Sequence, residues 1–273
     1  MAVRVMRLPS GNPVPTLGLG TWRLWGDEGL AAMRAALALG YRHLDTAESY
    51  GNHEIVGQAI RDYEREEVFV TSKVPPERLH YDEVLASCDQ ALLEIGTDYL
   101  DLLLIHWPNP EVPMPQTFEA LGELIELGKV RDIGVSNFQP HRLSRAINIS
   151  PVPIATNQIE MHPLLYQHEL MRLCHDHEII VTAYAPLART KVSDEPVIVE
   201  IADRHGRTPA QVSLRWLLQK GCIVIPRSTR EEHLRENMDV FGWELSLEDE
   251  ARIDALDRHE RLIQNATYGE FED

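Results

Sequence analysis

Apolar and polar positions along this chain follow two periods that take turns. Short, nearly continuous apolar runs occupy residues 17–20, 41–45, 68–72, 100–106, 130–135, 154–159, 179–183 and 223–225. Runs this short and this apolar read as strands covered on both faces. Between them, apolar residues recur at helical spacing over 28–39, 53–62, 82–95, 117–127, 140–146, 167–177, 195–218 (in two pieces) and 230–237. Strands alternating with helices imply right-handed crossovers and a parallel sheet, and eight such units predict closure into a (β/α)8 TIM barrel. An open doubly wound sheet is the structural alternative.

Ahead of the repeat, 3–5 and 14–16 flank the turn residues Ser10-Gly11-Asn12-Pro13, which predicts an N-terminal β-hairpin that caps one end of the barrel. Beyond it, Ser246 with Glu248-Asp249-Glu250 marks the start of one more helix, 247–256, packed outside the barrel. Residues 266–273 read as a loose tail. No low-complexity linker interrupts the pattern, so residues 1–273 are expected to form a single domain.

Charge and composition remove several function classes. A net charge of −17 repels phosphate backbones and anionic headgroups, so neither nucleic acid nor membrane is expected as a partner. No apolar run approaches the roughly 20 residues of a membrane-spanning helix. The Met1–Val5 start lacks the apolar core of a secretion signal, which leads us to expect a cytoplasmic protein. Cys88, Cys174 and Cys222 form no CxxC pair and are expected to be reduced core residues. A monomer is expected.

Barrels of this type carry their chemistry at the carboxyl ends of the strands. Polar residues gathered from those ends form a compact group: Asp45 ends the second predicted strand, Tyr50 lies five residues on, Lys73 follows the third strand, and His106 ends the fourth. The set suits proton transfer to a carbonyl oxygen. A tyrosine with pKa near 10 is a sluggish acid at neutral pH, and a neighbouring ammonium is expected to lower that value. Lys73 would supply the charge, Asp45 would hold the lysine, and His106 would orient the carbonyl. Taken singly, each is more often a loop ion pair or a cap, so the weight lies in the combination.

Other motifs fail informatively. Gly18-Leu19-Gly20 opens a GxGxxG pattern that Arg23 breaks, and Gly134-Val135-Ser136-Asn137-Phe138 lacks the last glycine of a nucleophile elbow. His43-x-Asp45 and Cys174-His175-x-His177 lack the partners of a metal site, and no metal is expected. Near the end, Ile225-Pro226-Arg227-Ser228-Thr229-Arg230 runs from the eighth strand into a helix start. Backbone N–H groups and two guanidiniums there would bind the phosphate of a cofactor.

With these residues in view, the chain resembles the aldo-keto reductases, of the prokaryotic kind that includes diketogluconate and methylglyoxal reductases. The matching segments span nearly its whole length: Leu19-Gly20-Thr21-Trp22, Leu44 to Asn52, Thr71-Ser72-Lys73, Leu104 to Pro108, Ile133 to Phe138, Asn157 to Pro163, Ala183 to Leu187, and Ile225 to Ser228 followed by Glu236-Asn237. The resemblance implies hydride transfer from a nicotinamide cofactor to an aldehyde or ketone, with Tyr50 as general acid, Asp45 and Lys73 tuning it, and His106 placing the substrate. It implies that Gly20, Thr21, Trp22 and Asp45 border the cofactor, that Ser136, Asn137 and Gln158 bind its carboxamide, and that Tyr184 stacks on its ring. It further implies that Pro186, Leu187 and Ala188 strap the pyrophosphate, that Ile225 to Arg230 grip phosphate, and that Glu236 and Asn237 meet the adenine. Trp22, Tyr50, His106 and Trp107 would surround a small-molecule carbonyl substrate such as a small aldehyde, an α-dicarbonyl or a keto sugar.

Two departures bear on the cofactor. Arg227 stands where the family usually has lysine, which keeps the charge and permits a bidentate grip. His233 stands where many members use arginine for the 2′-phosphate, and a largely neutral imidazole grips less. NADPH is therefore the expected cofactor, with NADH a competitor. The short loop after the seventh strand and the brief tail imply an open pocket of broad specificity. Two rival readings remain at this point: a cofactor-binding sensor or regulatory protein with little turnover, and a divalent-metal barrel hydrolase or isomerase.

Overall fold

The computed structural model describes residues 3–268. A hairpin, β1 (Val5–Arg7) against β2 (Pro13–Pro15), precedes eight parallel strands: β3 (Leu19–Gly20), β4 (His43–Asp45), β5 (Phe69–Val74), β6 (Leu100–Ile105), β7 (Val130–Ser136), β8 (Ile154–Glu160), β9 (Ile180–Tyr184) and β10 (Ile223–Val224). The strands pair in chain order. Leu17 bridges Val224 in parallel, with Gly18 N–H donating to Val224 O at 2.9 Å and Val224 N–H to Thr16 O at 2.9 Å, and so the sheet closes on itself. Closure explains one glycine: a Cβ on Gly20 would stand 2.7 Å from the Ile225 carbonyl oxygen on the far side of the seam.

Helices α1 (Gly26–Ala38), α2 (His53–Ile60), α3 (Tyr81–Ile95), α4 (Met114–Glu126), α5 (Pro140–Ile149) and α6 (His168–Asp176) each follow a strand. α7 (Pro196–His205) and α8 (Pro209–Gln219) together bridge β9 to β10, and α9 (Glu231–Met238) and α10 (Leu247–Asp254) complete the chain. The break between α7 and α8 is local chemistry. Gly206 adopts the left-handed φ of 61° that ends α7, and Thr208 opens α8 with a capping box to Gln211 before Pro209. Ser246 caps α10 through Asp249 N–H at 3.0 Å.

Apolar residues fill two layers. One lies between strands and helices, and the other fills the barrel bore, where Phe69, Leu102, Leu104, Ala155, Ile223 and Ile225 meet Leu8 and Val14 from the hairpin. The hairpin thus plugs the amino end of the barrel. Fully burying two such side chains is worth roughly 1.5–3 kcal/mol each. Asp132 accepts hydrogen bonds from the Ser10 N–H and hydroxyl, and Asn12 Nδ2 donates to Asp101 at 3.2 Å, fixing the plug to the starts of β6 and β7. With the bottom sealed, the opposite mouth is the open one. No helix among the described residues is long and apolar enough to cross a membrane.

Candidate active site

Every strand of a parallel barrel ends at the same face, so residues far apart in sequence share one mouth. Asp45 ends β4, Lys73 lies one residue before the end of β5, His106 follows β6, Ser136 ends β7, Gln158 lies in β8, and Tyr184 ends β9. Tyr50 closes a short 3-10 turn, Glu48–Tyr50, that Gly51 terminates at φ 62°. This turn is stitched to its neighbours. Asn52 Nδ2 donates to Thr21 O at 2.9 Å, Thr46 Oγ1 donates to Asn52 Oδ1 at 2.6 Å, and Trp25 Nε1 donates to Tyr50 O at 2.7 Å.

At the base, Asp45 and Lys73 are 2% and 1% exposed, and Lys73 Nζ lies 2.5 Å from Asp45 Oδ1. The ammonium also donates to Thr46 O at 2.7 Å, and Gln158 Nε2 donates to Asp45 Oδ2 at 2.7 Å. Burial pushes the lysine pKa down while Asp45 pulls it back up. Above the pair, Lys73 Nζ is 5.0 Å from the centre of the Tyr50 ring, and the Tyr50 and His106 rings meet edge to face at 5.6 Å.

The electrostatics correct one expectation. Tyr50 was expected to be acidified by Lys73, but its pKa is raised, first by burial of the phenol and then by the Asp45 charge. Lys73, hydrogen-bonded to Asp45 and Thr46, does not offset these two effects on the phenol. Tyr50 is therefore held protonated. His106 is pushed down to about 3 by burial and by the Lys73 charge, and is a neutral imidazole at neutral pH. Ser49 Oγ lies 3.2 Å from His106 Nδ1. The tautomer in which that hydroxyl donates leaves the ring's N–H on Nε2, where it can reach a carbonyl oxygen.

A cavity of about 880 Å3 opens over this base. Of the residues selected from sequence, Gly20, Thr21, Trp22, Asp45, Tyr50, His106, Trp107, Ser136, Asn137, Gln158, Tyr184, Pro186, Leu187, Ile225, Pro226 and Arg227 line it. Lys73 and Ala188 are buried behind that surface. The side chains of one wall are linked in series: Ser136 Oγ donates to Gln158 O at 2.8 Å, Asn137 Nδ2 to Ser136 Oγ at 3.0 Å, and Tyr184 OH to Asn137 Oδ1 at 2.7 Å. The remaining positions do not line the cavity. Ser228 is buried, Thr229 partly so, and Arg230 and His233 are exposed at the start of α9. Glu236 accepts from the Thr208 hydroxyl, and Asn237 is buried beside Tyr41.

Several lining residues escaped the sequence reading. Arg23, which stacks on Trp22 at 4.2 Å, and Ser49 lie inside or beside recognised motifs and could have been found there. Ala185, Arg189 and Thr190 also line the cavity. They belong to a strap in which Ala185, Ala188, Arg189 and Thr190 all take positive φ, between 47° and 77°. Each such residue costs of order 1–3 kcal/mol, and strain of this kind gathers at ligand clamps. The tail departs from expectation as well. It was read as leaving the pocket open, yet Ile263, Gln264, Asn265 and Ala266 form one of its walls. Of the loose tail expected over 266–273, residues 269–273 lie outside the described residues.

The two motifs set aside as metal-like have other contacts. His43 Nε2 lies 3.0 Å from Thr71 Oγ1, while Cys174 is buried and His175 exposed. All three cysteines are free and buried, and burial raises each thiol to about 12.

A model of the aldo/keto reductase family matches residues 16–258. An aldo-keto reductase of Mycolicibacterium smegmatis is 43% identical over 258 residues, 93% of this chain and 94% of the relative. Glyoxal reductase of Bacillus subtilis is 41% identical over 263 residues, 95% of each chain. A crystal structure of a candidate 2,5-diketo-D-gluconic acid reductase B superposes with a TM-score of 0.95 at 39% identity, over 100% of this chain and 98% of that one.

Proposed function

The chain belongs to the aldo/keto reductase family, and from that premise we propose that it reduces aldehyde or ketone carbonyls of small molecules to alcohols with a nicotinamide cofactor, Tyr50 being the proton donor. The observation that carries this reading is the buried Asp45–Lys73 pair lying beneath Tyr50 and His106 in one cavity. Small dicarbonyls and keto sugar acids are the proposed substrates, in keeping with the names of the glyoxal and diketogluconate relatives.

The residues present fit such a cofactor. Gly20, Ile225 and Arg227 line one side of the cavity, and the strained Ala185–Thr190 backbone lines it as well. Ser136, Asn137 and Gln158 offer donors and acceptors for a carboxamide, Tyr184 an aromatic face, and Arg227 an exposed guanidinium for phosphate. When bound, the cofactor supplies the hydride. Tyr50 then donates its proton to the developing alkoxide oxygen, and His106 Nε2–H holds that oxygen in place. Asp45 keeps Lys73 charged in a buried setting, so a cation lies under the phenol as negative charge develops on it.

NADPH is the proposed cofactor, with NADH accepted. Arg230 is paired with Glu232 at 3.0 Å, but both are largely exposed. Such a pair is worth about 0–1 kcal/mol and yields readily to a phosphate. Glu231 and Glu232 in the first turn of α9, together with the exposed His233, weaken the preference. The test is absorbance decay of NADPH and NADH, separately, with methylglyoxal, an aromatic aldehyde and a diketo sugar acid. Carbonyl-dependent oxidation supports the reading, and its absence with every pair overturns it.

A further inference from the structure

The motif Asn157 to Pro163 contains a carboxylate that the proposed chemistry does not use. Glu160 is the last residue of β8 and is 0% exposed. His162 Nε2 lies 3.1 Å from Oε1, and the Arg261 guanidinium is coupled to Glu160 through its charge. The other two donors come from the far end of the chain. Leu262 N–H donates to Oε1 at 2.8 Å and Ile263 N–H to Oε2 at 2.9 Å. Two consecutive backbone N–H groups thus embrace one buried anion, the arrangement of a nest. Gln167 adds a second link, donating to the Glu160 backbone oxygen at 2.6 Å and accepting from Arg261 at 3.2 Å.

The clasp sits where the tail becomes part of the pocket. Ile263 is both a donor to Glu160 and the first residue of the wall that continues through Ala266. On the preceding side the Arg258 and Glu260 N–H groups donate to Leu164 O at 3.4 and 3.0 Å, while the pairs of Lys191 with Glu260 and of Arg258 with Glu195 and Glu260 are partly exposed and contribute little. A fully buried carboxylate, by contrast, holds its donors firmly, because opening would strip two hydrogen bonds from a buried charge.

We propose that Glu160 is a positioning residue: by clasping the Leu262–Ile263 backbone it fixes the tail wall of the substrate pocket and so sets how well carbonyls larger than the reacting group are held. The inference rests on the reductase reading for its kinetic arm, but not for its structural arm. Glu160→Gln keeps the shape and turns one acceptor into a donor that faces an N–H. Leu262→Pro removes a donor and leaves both the carboxylate and the cavity-lining Ile263 side chain intact.

In Glu160→Gln, KM for an aromatic aldehyde should rise about tenfold, which corresponds to losing about 50 Å2 of apolar wall at ~25 cal/mol per Å2. KM for methylglyoxal, kcat for both substrates and cofactor affinity by fluorescence should stay within about twofold. Trypsin cleavage after Arg258 and Arg261 should accelerate in the intact protein. Leu262→Pro, at a residue that does not line the cavity, should behave alike, and the double variant should add nothing further. If Glu160→Gln does not fold, Leu262→Pro alone decides.

Equal losses of kcat on small and large substrates, additive effects, or unchanged proteolysis with an unchanged KM ratio would overturn the proposal. If the wild-type protein oxidises no cofactor, the reductase reading fails while the proteolysis comparison still decides the clasp.

Discussion

Replacing Lys73 by methionine separates the energetics of the site from its chemistry. The ammonium lies 2.5 Å from Asp45 Oδ1 with both groups out of water. At that distance and an effective dielectric of about 20, their attraction is roughly 7 kcal/mol, most of it offset by the cost of desolvating two charges. The intact pair therefore contributes little net stability. Removing one partner is different: Asp45 would keep Gln158 as a donor but lose its counter-charge, so Lys73→Met should destabilise the fold by about 3–5 kcal/mol. Adding Asp45→Asn to Lys73→Met should recover most of that loss, while neither variant turns over. Urea denaturation of the wild type, both single variants and the double closes the cycle. A Lys73→Met protein within about 1 kcal/mol of wild type, or a double variant no more stable than Lys73→Met, would refute a tightly coupled buried pair.

Three further outcomes follow from the same geometry. Because His106 titrates near 3, the pH profile of kcat/KM for reduction should show no limb near 6.5; a limb there that vanishes in His106→Asn would contradict the neutral-imidazole role. His43, His53 and His106 all have pKa values below the ordinary 6.5, chiefly through burial. The unfolded chain therefore binds more protons below about 6.5, and stability, full above that pH, should decline as the solution is acidified toward the folded-state values. Thermal melts between pH 8 and about 4.5 would show it, and a midpoint that rises on acidification would be the wrong sign. Arg227→Ala should weaken NADPH binding about ten- to a hundredfold by loss of one charged phosphate contact, with kcat nearly kept. Unchanged affinity would remove Arg227 from the cofactor site.

The strands were legible because a strand buried on both faces announces itself as an apolar run. Their carboxyl-end residues followed from topology alone, which is why Asp45, Lys73 and His106 could be gathered without coordinates. Ser246 and the α7–α8 break were also readable, since caps and a left-handed glycine are local chemistry. What escaped depends on contacts distant in sequence. The Tyr50 pKa turned on the burial of its phenol and on the nearby Asp45 charge, which residue identity does not reveal. The strap at Ala185–Thr190 carries no glycine, so its left-handed backbone had no signature. The tail wall lacks any periodicity, and its hold on Glu160 spans 102 residues.

The most direct test of the account compares wild type with Tyr50→Phe in carbonyl-dependent NADPH oxidation, beside a fluorescence titration of the cofactor. The loss of a general acid predicts a fall in kcat of about 10²–10⁴ with cofactor affinity within about twofold. A Tyr50→Phe protein that turns over at the wild-type rate would contradict the assignment of the proton donor.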